Sequence, residues 1–167
     1  VCWTDVTNPT DEHNAQAEQH KELAAKHRSA SQALIAAEQQ ACGGIDDADR
    51  DMSPFEHGAD IASVSKLEED VAAGKSTLKR AAGATIVVRA VKGLTAEWLQ
   101  RVVDCHLARN AAVGHEMPEM PGCPLVPVGA KAKVRSTGDG FAVDVSSDNA
   151  AGADEIWKRA QLLAAAH

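Results

Sequence analysis

The chain has 167 residues, with 17 basic and 24 acidic side chains and a formal charge of −7, enough for one domain with its own core. An acidic balance with no cluster of Lys and Arg excludes a duplex nucleic-acid binder, which needs grouped cations to displace counterions. No apolar run approaches the ~20 residues that cross a bilayer.

Aromatic residues are scarce, at three Trp, two Phe and no Tyr. A core of Ala, Val and Leu buries less area per residue, so helix length and association gain importance. The chain opens on Val1 and carries four cysteines, which allow three pairings in an oxidising compartment. These two features set the expectation of an exported protein of the bacterial periplasm or cell surface, with an upstream signal removed. Cys2 adds the thought of a lipoprotein, although a lipid-bearing Cys would be the first mature residue.

Residues 1 to 10 read as an irregular lead-in. Asn8-Pro9-Thr10 reads as a helix start with Thr10 as N-cap, and Asp11 and Glu12 fall where carboxylates favour the helix dipole. Good helix formers then run to Cys42, and Gly43-Gly44 supplies the stop. Such a helix, about 48 Å long at 1.5 Å per residue, exceeds the width of the remaining domain. It is therefore expected to pair through residues 11–42 with another long helix, another copy or a larger assembly.

His13, His20 and His27 repeat every seven residues, Leu34 and Ala41 continue their row, and Leu23, Ala30 and Ala37 lie beside it. Successive rings are ~10.5 Å apart along the axis, too far for two to share an ion. The row is a seam or a solvated face rather than a metal ladder.

Residues 43–64 form a connector rich in Asp46, Asp47, Asp49 and Asp51. They lack the glycine and closing glutamate of an EF-hand loop. Met52, Phe55 and Ile61 are expected to pin the connector to the core. This divides the chain into 1–64, helix plus connector, and 65–167, a domain of strands and helices.

Residues 65–82 are charged and Gly/Ala-rich and read as a short helix or a mobile loop. Ala84 to Val91 is β-branched and reads as a buried strand. Thr95 caps a helix running to about Val113, with Gly114 as its stop. Lys131–Arg135 and Phe141–Ser146 flank a hairpin tipped by Asp139-Gly140. Asp148 is expected to cap a last helix reaching Ala165, with Ile156, Trp157, Ala160 and Leu163 on its apolar side. The expected fold class is α+β: a long N-terminal helix, then β-α-β-β-α, a split ferredoxin-like pattern with three strands.

The segment GDGFAVDVSSDNAAGADEIWKRA, residues 138–160, resembles the closing segments of small exported bacterial proteins, several of them linked to metal handling. The resemblance lies in a strand-to-helix cap and implies a fragment of fold.

Reactive atoms concentrate between Cys105 and Cys123. After Gly114 the chain reads His115-x-Met117-x-x-Met120-x-x-Cys123, with a proline after each Met and after Cys123. Thiolate, thioether and imidazole suit Cu(I), and thiolate with imidazole suits zinc. Prolines lower the entropy lost on presenting such donors. The candidate ligands are His115, Met117, Met120 and Cys123, with Cys105 and His106 in reserve. Cys105 and His106 diverge by about 100° on their helix and do not readily share one ion.

The plain alternative makes Met117 and Met120 hydrophobic plugs, with Cys123 in a disulfide to Cys105 or Cys42. Walker A, G-x-G-x-x-G, H-E-x-x-H, G-x-S-x-G and C-x-x-C-H motifs are all missing from the sequence. The expected function is therefore a non-enzymatic binding protein for copper, or else zinc. The competing expectation is a disulfide-stapled assembly subunit built on its long helix.

Overall fold

The structure is a computed structural model that describes residues 9–165. Its elements are α1 (Pro9–Ala41), α2 (Asp47–Asp51), β1 (Ile61–Ala73), β2 (Ser76–Arg89), α3 (Ala96–Ala112), β3 (Lys131–Ser136), β4 (Gly140–Ser146) and α4 (Ala150–Ala165). One turn of 3₁₀ helix at Gly58–Asp60 leads into β1. Of the irregular lead-in expected at residues 1 to 10, residues 1–8 fall outside the described residues, and Pro9 and Thr10 belong to α1 instead.

The class is α+β, with a long N-terminal helix and one antiparallel sheet of four strands in the order β1-β2-β4-β3. The expected three-stranded ferredoxin-like sheet is thereby corrected. The additional strand is β1, and with the first half of β2 it occupies the region expected to be a short helix or loop. β1 also starts at Ile61, before the expected boundary at 64/65.

The two strands pair from Ile61↔Val88 to Ala73↔Ser76, whereas β4 pairs only with the Gly83–Arg89 stretch of β2. The distal half of the hairpin thus projects beyond the sheet and is solvated. With water around it, Glu68-Glu69-Asp70 needs no apolar alternation, and the usual sequence sign of a strand is missing. Gly74, at φ 65°, makes the two-residue turn that closes the hairpin.

Both domain helices pack on one face of the sheet. Ala84, Ile86 and Val88 of β2 stand in register with Val145, Val143 and Phe141 of β4. Leu99 and Val103 of α3, with Ile156 and Ala160 of α4, complete this core. The opposite face is polar: the Thr85 hydroxyl donates to Asp144 Oδ1 (2.6 Å), and Arg135 Nε donates to Asp144 Oδ2 (2.9 Å).

Helix α3 also covers the rim of β3. Gln100 Oε1 accepts from the Val134 amide (2.6 Å), and Gln100 Nε2 donates to the Ala132 carbonyl (3.3 Å).

The helix caps agree in part with expectation. Thr95 accepts from the Trp98 amide (3.1 Å). At α4 the cap is Asn149, whose Oδ1 accepts from the Gly152 amide (2.6 Å). Asp148, expected there, reaches instead to Lys131 Nζ (2.5 Å), one residue too early to meet the first orphan amides. Thr10 lies inside α1, which begins at Pro9, where a missing N–H costs nothing.

Helix α1, about 50 Å long, meets the domain only near its C-terminal end. There Cys42 is bonded to Cys105 of α3. Beside the disulfide, Ile45, Val102 and Cys105 form a second small core with Trp98. From Thr10 to Ala37 every residue of α1 is exposed.

Candidate functional site

The loop between α3 and β3 is tied at several points. His115 sits in left-handed backbone, at φ 63°, and its Nδ1 donates to the Val126 carbonyl (2.7 Å). The buried Asn110 amide donates to the Leu125 carbonyl (3.0 Å). Arg159 of α4 donates to the Met120 and Pro121 carbonyls (3.3 and 3.2 Å). A stretch held by its own backbone carbonyls presents side chains at a small further entropy cost.

The predicted donors separate into five environments. Cys105 is consumed by the disulfide, so its sulfur is no thiolate, a correction to its place as a reserve ligand. His106 is buried, and its Nε2 faces the Asp49 carbonyl (3.0 Å). A carbonyl only accepts, so this nitrogen carries the proton. Burial, the largest cause, holds its pKa below the ordinary value, and the ring stays neutral.

His115 is half-buried with Nδ1 as donor, which leaves Nε2 unprotonated in the neutral ring. Met117 is buried in the main core and acts as a plug. Met120 packs against that core and, together with Cys123, lines a cavity of about 380 Å³.

Cys123 is a free, buried thiol, so neither disulfide considered for it forms. Burial raises its pKa, opposed by hydrogen bonds from the Leu125 backbone and the Ser53 side chain. The thiol is therefore the resting form at neutral pH. Among the described residues, no three or more His, Cys, Asp or Glu side chains gather into a metal-holding group.

Connector and α4 residues that the sequence did not mark as part of a site complete this cavity: Ser53, Phe55, Glu56, Leu162 and Leu163. Phe55 and Ile61 do reach the core as expected, while Met52 remains 41% exposed. The signal for the rest was Ser53-Pro54-Phe55, where an apolar anchor inside an acidic loop forces the loop back onto the domain. The connector is held there by Arg109 Nη1 on Asp51 Oδ1 (2.5 Å) and by Arg101 Nη2 on the Gly43 carbonyl (2.8 Å).

No protein-family model, curated protein or solved structure matches this chain. Among the described residues no helix is long and apolar enough to cross a membrane.

Proposed function

We propose that this protein is an assembly module whose long α1 arm pairs with the α1 of a second copy, while the Cys42–Cys105 disulfide fastens the arm to the α+β domain. The observation that carries this reading is the exposure of every residue from Thr10 to Ala37 on a helix of 33 residues. Long helices draw most of their stability from packing, not from propensity alone. Leu23, Leu34 and Ile35 are 50%, 41% and 46% exposed, apolar area that a partner helix would cover.

Charge favours an antiparallel pair. Residues 9–22 carry four acidic side chains and one basic, and residues 23–41 carry two basic and one acidic. Opposed dipoles add to the preference, and a two-fold pair lets one patch serve both copies. Light scattering over a concentration series tests this: a dimer is expected for the natural chain and a monomer for Leu23→Glu/Leu34→Glu. A natural chain that stays monomeric at every concentration removes the reading.

A second reading, a soft-metal carrier using Cu(I) or else Zn(II), is favoured by one observation: Cys123 and Met120 line the same cavity. Thioether and thiol donors suit Cu(I). Cu(I) titration of the reduced protein beside Met120→Leu/Cys123→Ser decides it, and equal affinity in the two sinks it.

A further inference from the structure

A second cavity, of about 290 Å³, lies between the connector, the end of β2 and the first turns of α3. Ser53 borders it on one side and the Cys123 cavity on the other. Ile61, Val88 and Leu99 wall it, all of them core residues less than 9% exposed. Trp98 of α3 adds an indole, with the Arg101 guanidinium 5.1 Å from its ring centre.

The ionisable residues lining the cavity are Asp49, His57 and Asp60; Arg89, outside the lining, spends its guanidinium on the Ala59 and Ile61 carbonyls. Asp60 is half-buried, and its carboxylate has no hydrogen-bond or ion-pair partner among the described residues. A carboxylate partly withdrawn from water and unpaired favours a cation beside it.

The wall contributed by the connector is fixed in advance. The disulfide stands at its start, His106 bonds the Asp49 carbonyl, and Phe55 is sunk in the core. Preformed, mostly apolar cavities with a few convergent polar groups are the usual form of a small-molecule site. The volume is about twice the ~150 Å³ that accommodates benzene in a dry protein cavity. An aromatic ring with a short side chain fills such a space.

We propose that this cavity binds a small organic cation, an aromatic or branched aliphatic body seated against Val88 and Leu99 with its ammonium on the Asp60 carboxylate. The apolar body supplies affinity in proportion to the area it loses to the protein. The carboxylate supplies the preference for positive charge, and Asp49 on the same cavity opposes anions. Binding here needs neither pairing of α1 nor a metal at the Cys123 cavity, although Ser53 borders both cavities.

Isothermal titration of the full chain with three isosteric probes tests it: 2-phenylethylammonium, 2-phenylethanol and phenylacetate. Saturable 1:1 binding of the ammonium is expected, with the alcohol at least tenfold weaker and phenylacetate silent. Asp60→Asn should cost the ammonium tenfold or more and leave the alcohol unchanged. Val91→Trp, at a wall residue 45% exposed, should fill the space and abolish binding of both. Phenylacetate binding as well as the ammonium, unchanged ammonium affinity in Asp60→Asn, or no heat from any probe overturns the proposal.

Discussion

Cys42, at the exit of the arm, is bonded to Cys105 in the middle of α3, across 63 positions of sequence. The loop it closes contains the connector, the whole β1–β2 hairpin and half of α3. A cross-link of that span removes chain entropy from the unfolded state worth about 4 kcal/mol. Cys42→Ser/Cys105→Ser is therefore expected to lose about that much in urea unfolding, and reductant should reproduce the loss in the natural chain. Equal midpoints with and without reductant would show that the bond constrains nothing.

His106, next to that disulfide, makes stability depend on pH. Its folded pKa lies below the ordinary 6.5 because burial disfavours the charged ring. Below about pH 6.5 the unfolded chain takes up a proton that the folded chain refuses, so stability falls with pH until the folded value is reached. Above that window the contribution is constant. His106→Leu should flatten the acid limb, at a cost near neutrality of about 1–3 kcal/mol for the carbonyl it leaves unpaired. Urea midpoints measured from pH 4 to 8 for both proteins check the sign.

Cys123 should be slow to react. A buried thiol whose pKa is raised presents little thiolate at pH 8. Iodoacetamide is expected to label Cys123 at least tenfold more slowly in native buffer than in 6 M urea, as read by peptide mass spectrometry. Rapid native labelling would mean that the loop opens readily.

Gly140 is required by close approach rather than by backbone conformation. A Cβ there would stand 2.1 Å from the Val88 carbonyl oxygen, while at Gly138 nothing lies within 4 Å. Gly140→Ala should cost about 3 kcal/mol or more by forcing β2 and β4 apart. Gly138→Ala should stay within about 0.5 kcal/mol, as for most exposed positions. Thermal unfolding of the two variants side by side tests the contrast.

Where local chemistry is strong, the fold was legible in the sequence. Thr95 caps α3, Gly43-Gly44 ends α1, and the Asp139-Gly140 hairpin and the apolar side of α4 lie where expected. What could not be read was β1. Its outer half borders water on both faces, so its pattern is that of a charged loop, and only pairing with Ser76–Ala81 makes it a strand.

The candidate site was legible as a list of donors but not as a geometry. Met117 turns into the core, Cys105 finds Cys42, and His106 finds a carbonyl 57 residues away. Each of those choices is made by tertiary packing, to which spacing along a chain is blind.

The Gln100 side chain has a consequence for solubility. A sheet with a bare rim is a template on which further strands stack into fibres. By occupying an amide and a carbonyl of β3, Gln100 blunts one rim. Along the other, the Glu68-Glu69-Asp70 run of β1 would meet its own negative charge in any approaching copy. Edge-to-edge strand addition between copies is thereby disfavoured at both rims.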